Sequence, residues 1–265
     1  MSDWEVYAIK YAQRNARTRK DSFIFDDNHD APHAMDYFIW VLRRGAETIL
    51  VDSGYDTAEG TARGRPIGME PLEALAPLGI APEAVSELIV THLHYDHAGG
   101  LHLFPNAILH LQSAEMAYAT GPCMCHDVLR APFTAGHICE AILRLYSGKV
   151  CFHDGDAEIT DGVSVHRIGG HSRGLQAVRV RTQAGWLVLA SDASHFYENL
   201  WLRKPFPIVV DLEDMLDGFG RLETLASRRE LIVPGHDPLV REVFPSAVAD
   251  HIFRLDAGPQ KAITI

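Results

Sequence analysis

The chain has 265 residues, 47% of them hydrophobic and 22% charged, and carries a formal net charge of −11. That length and apolar fraction suit one large folded unit or two small ones and exclude a disordered chain. The acidic balance excludes a nucleic-acid binder, which needs clustered Lys and Arg against phosphates, and no window is long and apolar enough to span a membrane.

The amino-terminal Met1-Ser2-Asp3-Trp4-Glu5 lacks a charged region followed by an apolar core, so the expectation is a soluble protein that is not exported. Val6 to Tyr11 reads as a first strand. Arg14-Asn15-Ala16-Arg17-Thr18-Arg19-Lys20 follows as a basic loop, which reads either as a solvated turn or as a lid or subunit contact near a site. Asp26-Asp27-Asn28-His29-Asp30-Ala31-Pro32-His33 is a polar turn whose histidines have no assigned role. Tyr37 to Leu42 and Thr48 to Val51 read as a hairpin turning at Arg43-Arg44-Gly45, and Asp52-Ser53-Gly54 ends it with an acidic residue of the kind that orients a ligating histidine. Thr57 to Pro66 reads as irregular. Glu70 to Leu78 has helical spacing, with Leu72, Leu75 and Leu78 on one side and Gly79 as its stop.

Glu87-Leu88-Ile89-Val90 then reads as a buried strand, and it delivers the densest chemistry in the chain: Thr91-His92-Leu93-His94-Tyr95-Asp96-His97-Ala98-Gly99-Gly100. Three imidazoles and a carboxylate within six positions suit a metal better than packing. His92 and His94 are two apart, so in an extended segment they point the same way and can share one ion. Asp96 and His97 follow a bend and suit a second. Imidazole and carboxylate together accept zinc, manganese, iron or cobalt.

Ile108 to Leu111 reads as a strand, and Ser113 as the N-cap of a helix through Ala119. Residues 121–148 carry the four cysteines Cys123, Cys125, Cys139 and, just beyond, Cys151, with an apolar helical stretch from Ile138 to Leu145. Clustered in this way the cysteines are not a disulfide framework, which points to ordinary buried thiols in a reducing cytoplasm. Val163 to Ile168, Ala177 to Arg181, Trp186 to Ala190 and Glu230 to Val233 read as strands, and Leu212 to Leu225 as an amphipathic helix with Met215, Leu216, Phe219, Leu222 and Leu225 inward. His171, Asp192 and His236 each sit just past the end of one of these strands. Three metal-binding side chains in one topological position point to a shared site.

His92-x-His94-x-Asp96-His97 followed by His171, Asp192 and His236 resembles the metallo-β-lactamase superfamily over nearly the whole chain, and within it the N-acyl homoserine lactonase-like branch. The resemblance implies an α/β (α+β) fold, a four-layer αββα sandwich forming a single domain over residues 1–265, in which the helical stretch described above reads as an insertion at about 112–150. It implies two divalent metal ions, zinc before manganese, iron or cobalt. One is held by His92, His94 and His171, the other by Asp96, His97 and His236, and Asp192 bridges them. Asp192 stands where true β-lactamases of the superfamily carry another residue, His94 where diiron members carry an acid, and too little chain follows His236 for the helical domain of glyoxalase II-like thioesterases.

The implied activity is hydrolysis of a cyclic ester, an N-acyl homoserine lactone or related lactone, by a hydroxide held between the metals, which would make the chain quorum-quenching. Asp96 moves a proton. His195 departs from the branch, whose members usually carry tyrosine three residues after the bridging aspartate; it is the candidate donor to the leaving oxygen, with Tyr197 behind it. The alternatives are a thioester or other ester hydrolase, a mononuclear iron dioxygenase and a non-catalytic binding protein. The expected partner is a small-molecule lactone or ester, with no nucleic acid and no membrane; a homodimer is left open.

Overall fold

Residues 35–42 are buried without a break, which is what a strand covered on both faces demands. They lie in the middle of the larger of two sheets in the computed structural model, which describes residues 3–26 and 28–265; Met1 and Ser2 of the amino-terminal segment and Asp27 of the polar turn lie outside the described residues. The strands are β1 Glu5–Arg14, β2 Met35–Arg44, β3 Glu47–Val51, β4 Glu87–Ile89, β5 Ile108–Gln112, β6 Val150–His153, β7 Ala157–Thr160, β8 Val163–Arg167, β9 Gln176–Thr182, β10 Gly185–Ser191, β11 Ile232–Pro234, β12 Ser246–Ala247 and β13 Ala249–Arg254. They form an eight-stranded sheet in the order β12-β13-β1-β2-β3-β4-β5-β6 and a five-stranded sheet in the order β11-β10-β9-β8-β7. From β3 to β6 the pairing is parallel, as it is between β10 and β11, so the carboxyl ends of these strands collect along one edge.

The helices are α1 Thr57–Ala62, α2 Pro71–Leu75, α3 Tyr95–Ala98, α4 Ser113–Ala119, α5 Asp127–Arg130, α6 Ala135–Tyr146, α7 Tyr197–Trp201, α8 Leu212–Leu225 and α9 Leu239–Val243, and α2, α4, α6 and α8 among them cover the outer faces. Trp4, Phe38, Trp40 and Val51 meet Val165, Val178, Val180 and Leu189 between the sheets. On the outer face of the larger sheet, Leu50, Leu88 and Leu109 pack against Leu75 of α2, Met116 of α4 and Ile138 of α6. On the outer face of the smaller sheet, Ala177, Val188 and Ala190 pack against Met215, Phe219 and Leu222 of α8. The result is the four-layer αββα sandwich that the resemblance implied.

Local departures from the sequence reading have local causes. Residues 57–62, expected to be irregular, form α1 because the Asp56 carboxylate accepts from the Glu59 N–H and caps it. Ser113 is the first residue of α4 rather than its cap; Gln112 holds the cap position, and Ser113 Oγ donates to His153 O. The short strands β6, β7, β12 and β13 escaped notice because their burial is patchy. Leu216, expected inward, is exposed. All four cysteines are free, and Cys125, Cys139 and Cys151 are exposed rather than buried. Among the described residues no helix is long and apolar enough to cross a membrane.

One buried amide pins the sheets together beside their shared edge. Gln176, at the start of β9, donates from Nε2 to Val90 O (2.9 Å) and His110 O (3.2 Å) of the larger sheet and accepts from Gln112 Nε2 (2.9 Å). Leucine fills similar space but takes the donor from Val90 O, while His110 O keeps the Val90 N–H, and one stranded carbonyl costs about 1–3 kcal/mol. Gln176→Leu should therefore lower the urea midpoint at an unchanged m-value; an unmoved midpoint would show that the amide does not hold the sheets.

Candidate metal centre

β4 ends at Ile89, and the chain runs on through Thr91 to place His92 and His94 before α3 turns Asp96 and His97 toward the same point. His171 follows β8 through Gly169 and Gly170, both at φ +80°; a Cβ on Gly170 would strike the backbone of Met215 in α8. Asp192 follows β10, and His236 follows β11 after Gly235, where a Cβ would meet Asp192 and Ser191. All seven side chains are buried. The structure thus brings together every metal-binding residue expected from the sequence.

They form two neighbouring groups. One ligand atom from each of His92, His94 and His171 lies within 4.8 Å of the others, and so does one from each of Asp96, His97 and His236. Asp192 stands between. Its Oδ1 is 3.1 Å from His236 Nε2 and 3.4 Å from His97 Nε2, while Oδ2 is 3.3 Å from His171 Nε2 and 3.9 Å from His92 Nε2.

The polar atoms facing inward fit cations. His97 Nδ1 lies 2.7 Å from Asp52 Oδ2, a carboxylate oxygen, and His236 Nδ1 2.9 Å from Asp36 O. Both acceptors take the Nδ1 proton and leave a bare Nε2 aimed at the cluster. Asp52 also accepts from Thr91 N (2.7 Å) and Thr91 Oγ1 (2.8 Å). His171 Nε2 and His94 Nδ1 face each other at 2.9 Å, a contact that only a shared proton or cation makes favourable. His92 Nε2, His97 Nε2 and Asp192 Oδ1 are buried without a hydrogen-bond partner. Groups of this kind are stable only where something compensates their desolvation. Burial, reinforced by neighbouring imidazoles, pushes His92 and His94 well below the usual histidine range and keeps their lone pairs available.

Sequence reading missed Glu115, a fully buried carboxylate on α4. It accepts from Leu93 N (3.0 Å), Ser172 Oγ (2.5 Å) and Gly174 N (2.9 Å), tying the loop of His92 and His94 to the loop of His171. Burial raises its pKa above the usual carboxylate value. An acidic residue inside the first turn of a helix gave no sign of this role.

His195 lines the cavity over the cluster, ≈ 270 Å³ in volume. Its Nε2 is 3.0 Å from Asp192 Oδ2, and its ring lies 3.9 Å from that of Phe206. Tyr197 is not brought to this place. It opens α7, which turns its ring into the core between the sheets, fully buried beside Trp201 with its hydroxyl unpartnered. The catalytic part given to Tyr197 is withdrawn. Apart from this centre, His110, Cys151 and His153 also bring their ligand atoms within 4.8 Å of one another, on β5 and β6.

Residues 35–240 match the family model of the metallo-beta-lactamase superfamily. An N-acyl homoserine lactonase of Bacillus cereus is 32% identical over 165 residues, covering 62% of this chain and 60% of that protein. The N-acyl homoserine lactonase AttM of Rhizobium johnstonii is 30% identical over 183 residues, covering 66% of this chain and 67% of its own. The chain therefore spans about 60% of the length of the Bacillus relative that it matches. Among solved structures, an N-acyl homoserine lactone hydrolase with the product N-hexanoyl-L-homoserine bound at its catalytic metal centre superposes with a TM-score of 0.73 at 25% identity, covering 90% of this chain and 95% of that one.

Asp52 touches no cation position and acts through His97 and Thr91. Asp52→Asn should weaken metal binding by roughly 10- to 100-fold in a chelator competition, with the far-UV spectrum unchanged. Undiminished affinity would remove Asp52 from the support of the centre.

Proposed function

The chain belongs to the metallo-β-lactamase superfamily, and from that premise we propose that it is a lactonase, a hydrolase of cyclic esters working with two divalent cations, zinc before manganese, iron or cobalt. The observation that carries this reading is Asp192, whose two oxygens face separate groups of ligand atoms, as a carboxylate shared between neighbouring cations must. His92, His94 and His171 would hold one ion, Asp96, His97 and His236 the other, with Asp192 common to both. Bound there, the ions supply a nucleophile from water near neutral pH and polarise the ester carbonyl.

The side chains around them do the rest. Asp96 lines the cavity and takes up the proton released on addition. His195 presents Nε2–H to Asp192 Oδ2, since a carboxylate can only accept. The same N–H is placed to donate to the alkoxide that leaves when the ring opens. Phe206, its ring tilted 31° against the imidazole at 3.9 Å, packs on that ring and restrains it. An imidazole N–H here replaces the phenol that the lactonase branch usually uses. The choice of a lactone over other esters rests on the relatives, which are named as N-acyl homoserine lactonases; N-hexanoyl homoserine lactone is the first substrate to try, and its turnover would make the enzyme quorum-quenching. Four free cysteines suit a reducing cytoplasm.

Elemental analysis of the purified protein should find two metal ions per chain, and a pH-indicator assay should register acid release from lactones. One iron per chain, or turnover confined to thioesters, would overturn the lactonase reading. His171→Ala should lose metal and activity together. His195→Ala should keep both ions and lose turnover by about 10²- to 10⁴-fold; full activity in that variant would end the role given to His195.

A further inference from the structure

The cavity over the metal cluster is unusually cationic for a protein of net charge −11: Arg14, Arg17, Arg63 and Arg65 all line it, against Asp21. Arg63 is committed elsewhere. Its guanidinium donates to Ala131 O (2.8 Å), Phe133 O (3.0 Å) and Thr134 Oγ1 (2.8 Å) and pairs with Glu59. Arg65 gives an N–H to the Tyr95 hydroxyl at 2.5 Å, beside the cluster.

Arg17 is different. Only 6% of it is exposed, yet its Nε and Nη1 have no hydrogen-bond partner; Nη2 alone is used, donating to Asp21 O at 2.7 Å. The Asp21 carboxylate turns instead to the Thr18 N–H. Burying a guanidinium with two of its three nitrogens idle is costly unless an acceptor arrives. Burial lowers the Arg17 pKa from its usual value, but an arginine stays charged across the working range. The two idle nitrogens lie on opposite edges of the guanidinium, and Nη2, which has a second hydrogen beyond the one given to Asp21 O, completes either edge as a fork that grips a planar carboxylate.

We infer that Arg17, flanked by Arg65 and Arg14, is a binding site for an anionic group on the substrate, a carboxylate held in the same cavity while the scissile ester lies at the metal cluster. The inference deepens the hydrolase reading and rests on it for the ester half alone. A compact lactone bearing a carboxylate is then the preferred substrate class, and a neutral lactone of equal size is held at one end only.

Two simple probes test the site without turnover. Glutarate and valerate have the same chain length and differ by one carboxylate; either can place a carboxylate at the metals, and only glutarate has a second for Arg17. Calorimetry on the metal-loaded protein should find glutarate bound at least tenfold tighter. Arg17→Met should erase the difference and Arg17→Lys restore part of it. Equal affinity for the two acids in the native protein overturns the site, whatever the variants do. In parallel, kcat/KM is compared for γ-butyrolactone carrying a carboxylate and for its methylamide, with a preference of at least tenfold for the acid expected. Hydrolysis of both at equal rates overturns the anion site and leaves the hydrolase standing. A glutarate preference with neither lactone hydrolysed supports the anion site and overturns the lactonase.

Discussion

The rest of the structure is arranged to keep one buried carboxylate, Asp192, between imidazoles on both sides. Burial alone would push its pKa up; His236, His97 and His195 together hold it well below the usual carboxylate range. That balance ties four separate chain segments to one point: the stretch after β4 that carries His92, His94 and His97, the loop of His171, the turn of Asp192 and His195, and the loop of His236. A low-dielectric site strengthens these attractions and makes any unpaired member expensive, so the positions of His171 and His236 are coupled to that of His92 through a single side chain. The pair of cations proposed for this centre would complete the balance; the surrounding protein supplies its shape.

The strain of assembling the site is visible in the backbone. Asp52 and Ser191, at the ends of β3 and β10, both adopt left-handed φ (59° and 47°), a region that costs a non-glycine residue energy. Each turns its strand out of the sheet at the edge where the ligands gather. Thr91 Oγ1 joins the two by meeting Ser191 Oγ at 2.9 Å while donating to Asp52. The stabilisation that tolerates this comes from elsewhere: the apolar layer between the sheets, the Gln176 amide that locks them together, and the Glu115 carboxylate that fixes two ligand loops at once.

How much of this the sequence reveals depends on whether the signal is local. His92 to His97 were legible because four ligands fall within one turn of chain, and His171, Asp192 and His236 because each follows a recognisable apolar strand. Asp52 could be singled out for the same reason. Residues whose meaning depends on direction were not legible. Tyr197 is close to Asp192 in sequence, but the start of α7 points its ring into the core; His195, two residues earlier and before the helix begins, faces the cavity. Glu115 and Gln176 act across loops or sheets and have no local pattern. β6, Val-Cys-Phe-His, lacks the alternation that marks a half-buried strand, and β7, Ala-Glu-Ile-Thr, alternates over four residues only, too few to stand out.

The basic loop shows the limit most clearly. From residues 14–20 alone, a solvated turn is the favoured account over a lid or a subunit contact, because sequence records charge but not burial. The fold separates them by sorting the loop: Arg19 goes to Asp26 and Glu198, while Arg17 is folded under the surface beside the cavity. An acidic protein repels an anion at long range, yet salt screens exposed charges within about 8 Å at physiological ionic strength. A guanidinium inside that distance and out of water is screened far less. The overall charge and the local site therefore do not conflict: the first governs how the surface meets other macromolecules, and the second governs which small molecule stays.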